Sequence, residues 1–236
     1  MSNPVMSAAT GPVSSAEAPA TNRVLALAAL AGAALFTVAW FVLGFFNTGY
    51  RLEGDWIPSS PISQPLSGLG MGSTGPYMNT AFVLNGLLLL AGLIGVFRTM
   101  PPGYRPAARR LCAAGLALSP VGLVVAGIFT IEHDLPHFAG FGLIALTPVL
   151  TFALAGAFLR GIPAWRRLGT SLMVLGSPLT LLTAVMYLAS FDEASTAAGE
   201  GIAGLLSRIL GLSVHVWFAA MGWHAFRQTS PAPSDS

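Results

Sequence analysis

The chain has 236 residues, of which 54% are hydrophobic and only 8% are charged. Soluble domains usually carry about 25% charged residues, so the composition excludes an ordinary water-soluble protein and predicts an integral membrane protein. All eleven basic residues are arginines spread along the chain, and the lack of a basic patch argues against nucleic-acid binding. The single cysteine, Cys112, excludes an internal disulfide and a cysteine pair for metal or redox chemistry.

Small residues and prolines dominate the first 22 residues, a composition typical of a disordered tail. No charged start precedes a short apolar core, so no cleaved signal peptide is predicted. We expect residues 1–22 to form a disordered cytoplasmic tail and residues 23–227 the transmembrane domain. Residues 228–236 are expected to form a cytoplasmic C-terminal tail.

Six apolar segments follow the tail, each close to the roughly 20 residues that cross a hydrocarbon core about 30 Å thick. They cover residues 24–46, 78–97, 111–131, 138–159, 168–189 and 202–226. The sequence therefore predicts an all-α, polytopic membrane protein built as a bundle of six transmembrane helices. Pro120, Pro148 and Pro178 are each expected to kink their helix, because proline removes one backbone hydrogen bond.

Arginines and acidic residues lie in different connections between the spans. Arginines beside membrane spans are retained in the cytoplasm, and here they flank the second and fourth connections and both ends of the domain: Arg23, Arg98, Arg105, Arg109, Arg110, Arg160, Arg166, Arg167 and Arg227. The other three connections hold most of the acidic residues: Glu53, Asp55, Glu132, Asp134, Asp192, Glu193 and Glu200. We therefore expect a cell-membrane protein with both termini cytoplasmic and its acidic face outside.

The connection covering residues 47–77 is the longest, and its glycine, serine and proline content argues against a continuous helix. Two alternatives remain open, a surface loop and a re-entrant path. Irregular backbone at membrane depth is tolerated only against protein or a watery cavity, so a re-entrant path would imply a pocket.

The densest polar cluster is the short turn of residues 132–137. Its two carboxylates, Glu132 and Asp134, and its two imidazoles, His133 and His137, suit either divalent-metal binding or acid and base chemistry. The spacing matches no named zinc motif, so no metal is predicted, and a solvated turn with a proline break would have the same sequence. We take Glu132, Asp134 and His137 as catalytic candidates and His133 as a substrate-binding candidate.

His215 lies near the middle of the last segment, where an ionisable side chain must face the bundle interior. Arg208, seven residues earlier on the same helical face, is expected to meet Asp192 or Glu193 near the acidic face. This polar stripe would be a substrate or proton path or a packing seam, to which Asn85 could contribute. His215 is the fourth catalytic candidate and Arg208 the second substrate-binding candidate.

No motif for ATP, dinucleotide, haem or serine-hydrolase chemistry occurs, so no cofactor is predicted. The first hypothesis is a membrane protein that binds a small molecule or lipid at its outer face. The alternative is an intramembrane enzyme that uses acid and base chemistry on a lipid-like or prenyl-type substrate.

A proton-coupled transporter is less favoured, because no internal repeat is visible. The expected partners are membrane lipids and an apolar or lipid-like ligand, and the oligomeric state stays open.

The glycine-rich stretch of residues 62–98, with the turn Ser-Gly-Leu-Gly at 67–70, resembles a known family. Together with the acidic, histidine-bearing segment 132–137 and Arg208, it is similar to bacterial membrane proteins grouped as domain of unknown function 998. The resemblance covers roughly residues 30–226 and implies a six-helix fold without a known reaction. Gly68 stands where the family usually has aspartate, and Thr130 where many members have proline.

Overall fold

The computed structural model describes residues 20–101 and 103–228, without the side chain of Arg23. The predicted disordered tail 1–22 and C-terminal tail 228–236 lie almost wholly outside the described residues. The helices and strands are α1 Ala20–Leu43, β1 Gly49–Leu52, β2 Asp55–Pro58, α2 Gly75–Arg98, α3 Pro106–Ile128, α4 Asp134–Ala145, α5 Thr147–Arg160, α6 Arg166–Ser171, α7 Ser177–Ser190, α8 Glu193–Ala197 and α9 Ala203–Gln228.

Within residues 20–101 and 103–228, six helical stretches are long and apolar enough to cross a membrane. They are Ala20–Leu43, Gly72–Arg98, Pro106–Ile128, Asp134–Arg160, Pro163–Ser190 and Ala203–Gln228. The shortest has 23 residues, and a helix of that length spans about 35 Å, more than the hydrocarbon core requires. The predicted all-α, six-span membrane fold is confirmed.

Two of the three prolines lie where the helical path changes. Pro148 is the second residue of α5, directly after α4 ends, and Pro178 is the second residue of α7, directly after a π-helical turn at Leu172–Gly176. At the start of a helix the missing proline N–H costs no intrahelical bond. Pro120 differs, because it lies inside α3 without ending the helix.

The spans pack in a ring in which α1 contacts α2 and α9, α2 contacts α3, α3 contacts α4 and α5, and α7 joins α5 to α9. We call the end that carries connections 44–74, 129–133 and 191–202 the acidic end, and the opposite end the arginine end. Small residues bring α1 close to its neighbours. A Cβ on Gly92 or Gly95 of α2 would overlap the backbone of Ala29 or Ala26 in α1.

The acidic end contains a two-stranded hairpin that the sequence did not predict. Strands β1 and β2 pair antiparallel with Gly49 opposite Pro58 and Leu52 opposite Asp55. The turn residues Glu53 and Gly54 both have positive φ, 53° and 98°, as the favoured two-residue hairpin turn requires. After the hairpin, two short 3-10 turns at Leu66–Gly70 and Gly72–Thr74 lead into α2.

The close contact between α1 and α2 predicts opposite effects for the same substitution at two helical glycines. Gly92→Ala should destabilise the fold by about 1–3 kcal/mol, because the added methyl group overpacks the interface with Ala29. Gly142→Ala is the control, because a Cβ there meets no atom within 4 Å, and alanine favours a helix by about 1 kcal/mol. Thermal unfolding in mild detergent measures both, and equal melting temperatures would contradict the packing account.

Candidate functional site

The segment 62–66, which is buried from Ser63 to Leu66, lies against the first turns of α9. The carbonyl oxygens of Ile62 and Ser63 accept hydrogen bonds from the N–H groups of Leu205 and Gly204, at 2.8 and 3.1 Å. These are among the N–H groups that the start of a helix leaves without an intrahelical partner. Gly204 permits the contact, because a Cβ there would lie 2.7 Å from the Gln64 nitrogen.

The side chain of Leu66 extends along α9 beyond its first two turns. Leu66 Cδ1 lies 3.4 Å from the position of a Cβ built on Gly211, which is eight residues, or about 12 Å, beyond the start of α9. The Leu66 N–H also donates to the Ser207 hydroxyl at 3.1 Å. Leu66 therefore packs against α9, and the surface-loop and re-entrant alternatives for residues 47–77 both stay predictions.

Arg208 extends from α9 into the protein beneath this segment and is only 6% exposed. Its Nη1 atom donates to the carbonyl oxygens of Gln64 and Gly204, both at 2.9 Å. The guanidinium carbon lies 5.8 Å from the centroid of the Trp40 ring on α1. Among the described residues, Arg208 forms no ion pair with a carboxylate, so its positive charge is held by carbonyl dipoles and an aromatic face.

The expected pairing of Arg208 with Asp192 or Glu193 does not form, because the backbone of segment 62–66 supplies the acceptors instead. Asp192 is exposed and caps α8, with its Oδ2 accepting the Ser195 N–H at 2.8 Å. Hydrogen bonds from the backbone and the hydroxyl of Ser195 lower the pKa of the Asp192 carboxyl.

His215 faces the bundle interior, as predicted, and is 3% exposed. Its Nδ1 lies 2.7 Å from the Gly211 carbonyl oxygen, and its Nε2 lies 2.7 Å from Nδ2 of Asn85 on α2. A carbonyl only accepts hydrogen bonds, so we assign the proton to Nδ1, and Nε2 then accepts from the Asn85 amide. The ring also stacks on Phe36 of α1 with 5.0 Å between centroids. The Nε2 contact and the ring stacking therefore link α9 to α2 and α1, whereas the Nδ1 bond stays within α9.

A groove of about 700 Å³ runs along α1, α7 and α9 and is open on one side. Most of its lining is apolar and exposed, as at Val38, Leu212 and Val216. Thr37, Ser213 and His215 are among the lining residues, but almost all of the groove surface is apolar. Because three spanning helices form the walls, the open side faces the hydrocarbon of the membrane.

The acidic end of the groove lies beside the Arg208 site. Groove residues Ile209 and Leu212 follow Arg208 by one and four positions on α9, and groove residue Val38 precedes Trp40 by two positions on α1. Positions four apart are neighbours on a helix surface. The groove lining therefore comes within one helical turn of Arg208, which is not itself a lining residue.

Comparison with protein-family models matches residues 30–224 to the family described as Protein of unknown function (DUF998). The match covers most of the chain. This protein belongs to the DUF998 family. The resemblance drawn from the turn at 67–70, the segment 132–137 and Arg208 is thereby confirmed. Neither the curated proteins nor the solved structures contain a match to the chain.

In this DUF998 protein, the segment 132–137 forms the junction of α3 and α4. Glu132, His133 and Asp134 are exposed, and α4 already begins at Asp134 rather than beyond the turn. His137 is 8% exposed, and its Nδ1 bonds the Phe129 carbonyl oxygen at 2.8 Å. Across residues 20–101 and 103–228, no three His, Cys, Asp or Glu side chains are grouped so as to hold a metal ion.

The structure thus distributes the predicted site residues over three places. Arg208 contacts Gln64 and Trp40, and His215 contacts Asn85 and Phe36. The hydrogen bonds of Glu132, His133 and His137 stay within the α3–α4 junction: they involve Thr130 and Phe129. The catalytic roles of Glu132, Asp134, His137 and His215 and the substrate-binding role of His133 stay predictions.

Sequence reasoning missed Gln64 and Ser63, which are each 1% exposed. Gln64 Nε2 and Oε1 and Ser63 Oγ are buried, and none of these three atoms has a hydrogen-bond partner among the described residues. The Gln64 amide lies near Tyr50, whose pKa is raised by burial and partly lowered again by this amide. The only available sequence signal was two polar residues between Pro61 and Pro65, and such a pair is equally common in exposed loops.

The contacts of His215 predict energetic coupling with Asn85. A double-mutant cycle that combines Asn85→Leu and His215→Phe should give a coupling free energy of about 0.5–2 kcal/mol, the range for hydrogen bonds between membrane helices. Phenylalanine preserves stacking on Phe36, which isolates the polar contact. Unfolding in detergent measures each variant, and strictly additive effects would contradict the proposed bond.

Proposed function

We propose that the protein binds a lipid-like amphiphile with an anionic group, holding the hydrocarbon chain in the lateral groove and the anion at Arg208. The observation that carries this proposal is the buried guanidinium without a carboxylate partner among the described residues. The apolar groove indicates that the ligand carries a hydrocarbon chain, and Arg208 indicates that its head group is anionic.

The donors of Arg208 favour an anion. A guanidinium has five N–H groups, and two hydrogen bonds, both from Nη1, engage it in the described chain. The donors on Nε and Nη2 have no acceptor there. An arginine fork that presents two parallel donors suits a phosphate or carboxylate group, and a buried positive charge in a membrane protein gains free energy from a counter-ion.

The distance from Arg208 to the far end of the groove fits one amphiphile. Groove residue Ala219 lies 11 residues beyond Arg208, which corresponds to about 16 Å along the helix axis. A hydrocarbon chain lying parallel to α9 would therefore extend along the groove while its head group contacts Arg208. Trp40 covers one face of the guanidinium and leaves its edge for hydrogen bonding.

We also propose that the protein resides in the cell membrane with its arginine end in the cytoplasm, which makes the Arg208 end of the groove the outer one. Support comes from charge: the seven described acidic residues lie at or near the acidic end, and the positive-inside rule retains arginine-rich connections. A reporter that works only in the cytoplasm should be active when it is fused after Gln228. Activity at the same position of a reporter that works only in the periplasm would contradict this orientation.

An intramembrane enzyme is the second candidate, and the observation that favours it is the position of His215 in the groove wall. To transfer a proton, His215 would have to exchange its bond with Asn85 or Gly211 for one with the substrate. Turnover of the bound amphiphile, abolished in His215→Phe with binding retained, would identify an enzyme. Binding without turnover identifies a binding protein.

The binding proposal predicts charge-selective loss of affinity. Arg208→Gln should weaken binding of a prenyl monophosphate about tenfold to a hundredfold, because charge-assisted hydrogen bonds contribute about 1.5–3 kcal/mol. The parent prenyl alcohol should bind both forms equally. Native mass spectrometry of the detergent-solubilised chain measures the affinities.

Two further variants test the parts separately. Arg51→Gln is the charge control, because Arg51 is an exposed arginine at the same end whose side chain bonds the Gly54 carbonyl and no carboxylate among the described residues. Ala34→Phe narrows the groove at an exposed position and should weaken the phosphate and the alcohol alike. Unchanged phosphate affinity in Arg208→Gln, or an equal loss in Arg51→Gln, would contradict the proposal.

A further inference from the structure

The arginine end carries a second pocket, separate from the groove. A cavity of about 390 Å³ lies where α5 ends and the fifth span begins, and it is lined by Ala157, Arg160, Gly161, Arg166 and Thr170. Two arginine residues therefore border one small cavity at the end of two spanning helices.

Close helix packing creates this pocket. A Cβ on Gly156 of α5 would lie 2.6 Å from the Gly169 carbonyl oxygen of α6, and a Cβ on Gly169 would lie 2.7 Å from the Arg160 nitrogen. The two backbones thus touch one turn from the pocket. Because these contacts bring the end of α5 against α6, Arg160 and Arg166 border the same space.

Burial and hydrogen bonds hold the turn between Arg160 and Arg166 in place. The Trp165 side chain is 1% exposed, and the Ala164 carbonyl oxygen accepts hydrogen bonds from His224 Nε2 at 3.0 Å and Gln228 Nε2 at 2.8 Å. The Thr170 hydroxyl bonds the Arg166 carbonyl oxygen at 3.0 Å. The pocket is therefore built on fixed backbone, which lowers the entropic cost of binding.

Neither arginine has an anionic partner in the described part of the chain. The one side-chain contact of Arg160 there is from Nη1 to the Met173 sulfur at 3.9 Å, and sulfur is a weak acceptor. The acidic residues within 20–101 and 103–228 lie at or near the acidic end, the opposite end of the bundle. The Tyr104 hydroxyl also lies over Gly161, close to where a Cβ would project.

Apolar surface continues from the pocket toward the membrane centre. On α5, Leu154 and Leu150 lie one and two turns from Ala157 and are 47% and 64% exposed. On the fifth span, Val174 lies one turn from Thr170 and is 54% exposed. A ligand with hydrocarbon chains would cover this surface, whereas a free anion would leave it uncovered.

We propose that this pocket binds the phosphate group of an anionic phospholipid between Arg160 and Arg166, with the acyl chains along α5 and the fifth span. Arginine binds phosphate through parallel hydrogen bonds, and basic pockets between membrane helices bind anionic head groups. The site lies at the opposite end from Arg208 and does not depend on the groove ligand or on the orientation of the protein.

The test compares two double variants of the full chain in mild detergent. Arg160→Gln/Arg166→Gln should bind phosphatidylglycerol at least about tenfold more weakly than the unmodified chain, because two charge-assisted contacts are lost. Arg98→Gln/Arg110→Gln is the matched control, since it removes two exposed arginines from the same end outside the pocket. Its affinity should change less than about twofold.

Phosphatidylcholine and inorganic phosphate serve as further probes in native mass spectrometry and thermal-shift measurements. Phosphatidylglycerol should bind more tightly than phosphatidylcholine, and inorganic phosphate should stabilise the chain less than the lipid does. Equal loss in both double variants would overturn the proposal in favour of diffuse surface charge. Stabilisation by inorganic phosphate as large as that by lipid would overturn it in favour of a free-anion site. Equal melting temperatures of the two double variants without lipid verify that folding is preserved.

Discussion

The contact between segment 62–66 and the first turns of α9 is the interaction on which the acidic end depends. Its carbonyl oxygens accept the N–H groups of Gly204 and Leu205 and the guanidinium of Arg208. Inside a membrane each of these donors would otherwise be costly to bury. The same backbone that accepts the N–H groups at the start of α9 therefore also holds Arg208 in position. Its carbonyl dipoles stabilise the guanidinium without cancelling the positive charge, as a carboxylate would.

The other polar contacts of the bundle connect this site to the groove. His215 joins α9 to Asn85 of α2 and stacks on Phe36 of α1, so three helices are held at fixed positions. Thr183 of α7 adds a hydroxyl contact to Ser213 of α9 at 3.3 Å. With α1 and α7 both tied to α2 or α9, the groove between them is a fixed feature of the packing, and a chain bound there needs no rearrangement of the core.

Sequence reasoning predicted the features that depend on long segments. Six apolar runs identified the spans, and the cost of a buried imidazole identified His215 as an interior residue. The hairpin was missed because each strand has only four residues and no periodicity is visible over that length. The partner of Arg208 was predicted wrongly, because charge alone favoured Asp192 or Glu193. The structure supplies instead the Gln64 carbonyl, 144 residues away in sequence, and the Gly204 carbonyl, one turn away on α9. Such long-range backbone contacts leave no local pattern.

The central claim is that Arg208 receives its counter-charge from a ligand. The most direct measurement extracts the protein from its native membrane into polymer-bounded discs, without detergent, and identifies the retained molecules by mass spectrometry. The account predicts that a phosphate- or carboxylate-bearing amphiphile is enriched over the bulk lipids with the unmodified chain and is lost with Arg208→Gln. The same retained molecules in both forms would contradict it.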